Sequence, residues 1–137
     1  MLSKKTKYGL KALTYLAKKK DRSPVLISEI AEKEHISKKF LETILLQLRK
    51  AGFLGSKMGK GGGYYLLKKP EDITMASLIR VLEGPIAMLP CVSLNFYERC
   101  DDCPDEHACS LHSLMIEVRD NTLKVLENRT LKDLTAE

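Results

Sequence analysis

Apolar residues recur three and four apart through much of this chain, the mark of helices with one buried face. Over residues 3–20, Tyr8, Leu10, Ala12, Leu13, Leu16 and Ala17 fall on one side and lysines on the other, so a helix is expected. Ser23-Pro24 breaks it. A short helix is expected over residues 29–34, with Ile30 and Ala31 inward and Ser28 capping it by accepting from first-turn amides. His35-Ile36 reads as a turn, and Ser37 as the cap of a third helix over residues 38–51. Phe40, Leu41, Ile44, Leu45 and Leu48 make the expected buried stripe of that helix, which Gly52 closes where left-handed backbone is cheapest.

The period then shortens. Residues 53–57 and 64–67 read as strands flanking Met58-Gly59-Lys60-Gly61-Gly62-Gly63, where four glycines in six residues allow a tight hairpin turn. The glycines lack a Gly-Lys-Ser/Thr ending and lie between strands, which argues against a nucleotide loop. Tyr64 and Tyr65 alternate faces, so one of them should support the core; a stacking platform for single strands is the weaker reading. Pro70 ends the hairpin, and Thr74 starts a helix over residues 75–83 that Gly84-Pro85 stops. Residues 86–108 show no period. The longest helix is expected over residues 110–128, with Leu111, Leu114, Met115, Val118, Thr122, Val125 and Leu126 on one stripe, and Thr130 capping a final turn over 131–134.

These elements predict a mainly α fold with a small β-hairpin wing: a winged helix–turn–helix plus a long C-terminal dimerisation helix. Residues 1–85 would form the DNA-binding domain, 86–109 a cysteine-containing loop, and 110–137 the dimerisation helix and tail. The apolar stripe of the long helix is expected to meet a second copy of itself. A homodimer of this kind reads two half-sites about one helical turn (~34 Å) or multiples apart, so the expected partner is double-stranded DNA with an imperfect palindrome. No apolar run is long enough to span a bilayer, and the N-terminus does not resemble a secretory signal. A cytoplasmic location without membrane association is expected, with reduced thiols.

Charge sharpens this picture. Residues 1–69 hold 17 Lys and Arg against 5 Asp and Glu, a net +12, while residues 70–137 hold 6 against 13, a net −7. Only the first half should meet a polyanion. In a helix–turn–helix the second helix leads into the major groove with its first residues, here Ser37, Lys38, Lys39, Glu42 and Thr43. Glu42 can accept from a cytosine amino group, and Lys39 can donate to guanine or phosphate. Lys57, Lys60, Gly61 and Gly62 in the wing, Lys4, Lys5 and Lys7 in the first helix, and Ser28 are expected to meet phosphates. No acid–base pair or substrate pocket suggests an enzyme.

Cys91, Cys100, Cys103, Cys109 and His112 fall within 22 residues, and the chain has no other cysteine. Their spacing, Cys-x8-Cys-x2-Cys-x5-Cys-x2-His, supplies the thiolates and imidazole that iron–sulfur clusters and zinc require. His107 lies inside the loop and is the weaker ligand. A 2Fe–2S cluster, a structural zinc, a thiol redox switch, or no cofactor at all remain open readings. Asp101, Asp102, Asp105 and Glu106 add a negative field that favours a cation and should raise thiol pKa values.

Lys7-Tyr8-Gly9-Leu10-Lys11-Ala12-Leu13, Ser37-Lys38-Lys39-Phe40-Leu41-Glu42, Ala51-Gly52 and Gly59-Lys60-Gly61-Gly62-Gly63-Tyr64, with the C-terminal cysteines, carry a family likeness. Over nearly its whole length the chain resembles the bacterial winged-helix repressors typified by the iron–sulfur cluster regulator and the nitric-oxide-sensitive repressor. The resemblance implies a homodimer, major-groove reading by the helix from Ser37, and minor-groove or phosphate contact by the wing. In the cluster-bearing branch three cysteines and often a histidine hold a 2Fe–2S cluster, and Cys103-x5-Cys109-x2-His112 matches the latter part of that pattern. Met58 stands where the family usually has a basic wing residue; Cys91 is displaced from the first cluster position, and Cys100 is additional. The expected function is a sequence-specific repressor whose DNA affinity follows the metal-cluster or thiol state of the Cys91/Cys100/Cys103/Cys109 loop. The alternative is a zinc-stabilised winged-helix protein-interaction module without sensing.

Overall fold

The computed structural model describes residues 2–136 and builds them from five α-helices and one hairpin: α1 (Lys4–Ala17), α2 (Ile27–Glu34), α3 (Lys38–Lys50), β1 (Leu54–Lys57), β2 (Gly63–Leu66), α4 (Met75–Leu82) and α5 (Ser110–Asn128). The mainly helical winged architecture is the one the apolar pattern predicts.

Ser3 caps α1, its hydroxyl accepting from the Thr6 amide at 3.2 Å. The helix stops at Ala17 rather than running to residue 20. Val25 then pairs with Tyr64 in an isolated antiparallel bridge, so the wing has a third, minimal partner strand. That pairing corrects the expected cap of α2. The helix begins at Ile27 as soon as the bridge ends, Leu26 takes the cap position without a side-chain bond, and Ser28 sits in the first turn.

His35 turns α2 into α3 in the left-handed region, φ 56°, and Ser37 caps α3 by accepting from the Phe40 amide at 3.4 Å. Leu41, Ile44, Leu45 and Leu48 are buried, but Phe40 is 42% exposed. Lying in the first turn, it stands at the edge of the helix-pair contact and meets the Tyr8 ring edge-on, 5.8 Å between centroids. Gly52 (φ 89°) reverses the chain after α3, where the Phe53 amide donates to the Leu48 carbonyl at 3.0 Å.

β1 and β2 are antiparallel, with Leu54 opposite Leu66 and Lys57 opposite Gly63. Tyr64 packs on the core, while the Tyr65 ring covers Gly55, where a Cβ would come within 2.5 Å of it. At the hairpin tip, a Cβ on Gly62 would lie 2.2 Å from the Lys57 carbonyl oxygen, so the turn has no room for a side chain there.

Thr74 caps α4, which buries Met75, Ala76, Leu78, Ile79 and Leu82. At the far end of α4, the Glu83 carboxylate accepts from the Ser3 amide at 3.0 Å, the Ser3 hydroxyl at 2.8 Å and the Thr6 hydroxyl at 2.6 Å. Those hydroxyls hold the Glu83 carboxyl below the usual glutamate value, Thr6 contributing most. The N-terminus of α1 is thereby fixed to α4.

α5 has the predicted bounds, but its apolar residues serve two faces. Leu123 is buried and Leu126 packs on the core, whereas Leu111, Leu114 and Val125 are 49%, 51% and 57% exposed. The chain then returns to the winged half. Thr130 bridges Thr74, the Leu131 amide donates to the Ile73 carbonyl at 2.9 Å, and Leu131 is fully buried among residues of α1 to α4. Thr130 and Asp133 close a capping box over the last 3-10 turn, Leu131–Thr135. Leu131, which follows α5, thus fills a place in the core of the winged half.

Candidate nucleic-acid interface and cysteine loop

α3 and the wing flank one open cleft of about 370 Å³. Ser28 from α2, Lys38 and Glu42 from α3, and Lys57 from β1 line it together. Glu42 is the only acid in α3, and Ser37, Lys38, Lys39, Glu42 and Thr43 are all exposed. Lys39 and Thr43 lie on the neighbouring strip of the helix and do not line the cleft. Lys60 and Gly61 are exposed at the wing tip; Gly62 is buried beneath them and shapes the turn. Lys4 and Lys7 are exposed on α1 and Lys5 is half-buried, at the end of α1 that the Tyr8–Phe40 contact sets against the first turn of α3.

Sequence reasoning missed Arg49 and Ser56. Arg49 lines the cleft and donates to the Ser56 hydroxyl at 3.1 Å, tying the end of α3 to β1. A signal was available: Arg49 follows Glu42 by seven residues, two turns along the same helix face. With Lys38, Lys57 and Arg49 around a single carboxylate, the cleft is a cationic groove with one carboxylate acceptor. Phosphates would meet the cations, and a base amino group would meet Glu42.

The cysteine loop is assembled only in part. The Cys100 thiol donates to Asp102 at 2.8 Å, and this bond pushes its pKa up to about 11, well away from thiolate. The Cys103 pKa is also raised, first by burial and then by neighbours that include the Cys109 thiol. Cys109 stands at the cap of α5, and one turn on, the Nδ1 of His112 is buried without a partner. Cys91 sits apart in the short 3-10 turn Pro90–Val92. Among the described residues, no three His, Cys, Asp or Glu side chains converge as metal ligands. The described residues thus do not gather the four ligands that a 2Fe–2S cluster or tetrahedral zinc takes, so this arrangement does not fit either group.

A helix–turn–helix whose second helix shares a cationic cleft with a hairpin wing defines a winged-helix DNA-binding protein. The chain matches the Rrf2 profile, described as iron-dependent transcriptional regulators, over residues 2–137, and it belongs to that family. It is similar to an rrf2-like HTH-type transcriptional regulator of Rhodobacter capsulatus, 47% identical over 139 aligned positions that cover 99% of this chain and 93% of the relative. It is 36% identical to the HTH-type transcriptional regulator CymR of Bacillus subtilis, covering 98% of this chain and 89% of that one. The solved structure of that CymR, described as the global cysteine regulator, superposes with a TM-score of 0.80 over 98% of this chain and 95% of the other. T. potens IscR superposes with a TM-score of 0.76 at 33% identity, over 98% and 85%. The chain is therefore a transcriptional regulator and not an enzyme. No helix among the described residues is long and apolar enough to cross a membrane.

Proposed function

We propose that this chain is a cytoplasmic, homodimeric repressor that binds double-stranded DNA at an imperfect palindrome. The observation that carries the reading is the cleft in which Lys38, Glu42, Arg49 and Lys57 from two separate elements face one volume. The first turn of α3 enters the major groove, Glu42 reads a cytosine, and Lys39 donates to guanine or phosphate. Ser28, Ser37, Thr43, Lys57, Lys60, the Gly61-Gly62 backbone and the lysines of α1 fix register on the phosphates. Leu111, Leu114 and Val125, exposed along α5, meet the same face of a second copy.

DNA affinity is set by the thiol state of the cysteine loop. Cys103 and Cys109 are near enough that the Cys109 thiol raises the Cys103 pKa. A peroxide can oxidise the pair: each thiol gives up one proton and one electron, an Sγ–Sγ bond forms, and hydrogen peroxide leaves as two waters. Cys109 holds the N-cap position of α5, so the new bond moves the start of the helix that joins the two copies. The test compares operator affinity before and after peroxide for the wild type and for Cys103→Ser with Cys109→Ser. The wild type should lose affinity and the double variant should not. An equal response in both, or stoichiometric iron and sulfide in anaerobically purified protein, contradicts the thiol reading.

A further inference from the structure

A second cavity, about 650 Å³, opens at the root of the wing, where β2 ends, and not at its tip. Its walls come from four separate stretches: Lys18 to Lys20 just beyond α1, Arg22 in the following loop, Lys69 after β2, and Lys132 in the C-terminal 3-10 turn. Among the described residues that line it, Glu71 is the only acid. Lys19 is paired with Glu29 at 3.4 Å. Among the described residues, Lys20, Arg22, Lys69 and Lys132 form no ion pair.

The negative end of the α1 dipole explains the lysines that follow it, because cations are stabilised near a helix C-terminus. It does not explain why Arg22, Lys69 and Lys132 converge on the same volume from distant parts of the chain. Like charges gathered in a concavity repel, and a bound anion relieves that repulsion. Arg22 carries a second sign of adaptation. Its backbone is left-handed, φ 53°, a region that residues other than glycine rarely enter. Its guanidinium reaches over the wing root to the Leu67 carbonyl at 3.4 Å.

We propose that this cavity binds a multiply phosphorylated small molecule. A guanidinium suits a phosphate bidentately, and lysines around it act as point charges for a longer polyphosphate. The volume falls in the ~300–1,000 Å³ range of small-ligand sites. Ala17, Leu66 and Pro70 supply an apolar wall that an inorganic ion would not use and a nucleoside would. The α3 cleft lies at the other end of the same strand. Leu26 lines that cleft and Arg22 lines this cavity, and the extended segment between them pairs with β2 through Val25 and Tyr64. Four residues of such chain span at most about 14 Å and the two linings share no residue, so the sites are distinct yet connected through one short segment.

The test is calorimetric titration of the full-length protein with ATP, inorganic tripolyphosphate and adenosine. ATP and tripolyphosphate should each bind saturably at one per chain, and adenosine should not. Tighter binding of ATP identifies a nucleotide as the natural class; equal binding identifies an inorganic polyphosphate. Arg22→Gly, which suits the positive φ and so should fold normally, and Lys69→Ala with Lys132→Ala should each weaken binding by about tenfold or more, the scale of one lost charge-assisted hydrogen bond. Lys39→Ala, on the α3 face, should bind ATP as the wild type does. Absent saturable heat, full binding by the Lys69/Lys132 variant, or loss of binding in Lys39→Ala overturns the proposal. So does a Lys69/Lys132 variant whose duplex affinity falls while polyphosphate binding is unchanged, because the cluster would then bind DNA instead.

Discussion

Gly62→Ala should weaken DNA binding while leaving the core intact. The added methyl would lie 2.2 Å from the Lys57 carbonyl oxygen and 2.8 Å from that of Gly59. Ordinary carbon–oxygen separations are about 3.3–3.6 Å, and both obstructing atoms are backbone, so the turn must open. Opening breaks the bond from the Gly62 amide to the Gly59 carbonyl, 3.0 Å, and displaces Lys57 beside it. The broken bond costs about 0.5–1.5 kcal/mol and residual backbone strain on the order of 1–3 kcal/mol, both confined to the hairpin tip. The functional cost is larger than the stability cost because Lys57 and Lys60 both ride on this turn. If each neutralises one phosphate, the slope of log affinity against log salt should fall by about 0.9 for each phosphate no longer neutralised, or ~1.8 in all. Fluorescence anisotropy of a labelled duplex over a potassium chloride series measures that slope. Gly59→Ala is the control: its methyl meets nothing within 4 Å, leaving only the cost of a left-handed alanine, about 1–2 kcal/mol. A Gly62→Ala slope equal to that of the wild type would refute the reasoning.

Glu83→Gln keeps the shape of the anchor between α1 and α4 but removes its charge, and should lower stability at pH 7 by about 1–3 kcal/mol in urea unfolding. Because the folded carboxyl is held below its ordinary value, this stabilisation is present above the unfolded pKa and is lost as pH falls through the folded one, so wild type and variant should converge in acid. Leu131→Ala should cost about 2–5 kcal/mol, a core-sized penalty for a residue so near the C-terminus, read as a lower thermal midpoint.

Much of this fold was legible because its signals are local. Ser37 and Thr74 cap their helices, Gly52 takes the left-handed position, and the bounds of α5 follow from its polar flanks. The misses are tertiary. Ser28 has the chemistry of a cap, but the Val25–Tyr64 bridge starts α2 before it. Phe40 has the right phase for burial, yet it meets the edge of Tyr8 and stays open to solvent. Leu131 belongs to the buried interior because the chain folds back after α5, which no periodicity within one segment can announce, and Leu123 is buried within α5 itself. The cationic cleft was readable from the charge asymmetry and the helix face, apart from Arg49. The cysteine spacing suggested more ligands in one place than the loop gathers, since spacing does not say that Cys100 turns toward Asp102.

The account depends on the exposed face of α3 reading duplex DNA in the major groove. Selecting binding sites from a random duplex pool with the wild type, Lys39→Ala and Glu42→Ala tests it most directly. Lys39→Ala should bind the selected site more weakly with a salt slope reduced by about 1, and Glu42→Ala should lose about 1–3 kcal/mol of discrimination at one cytosine. Identical site preferences and affinities for all three proteins would contradict it.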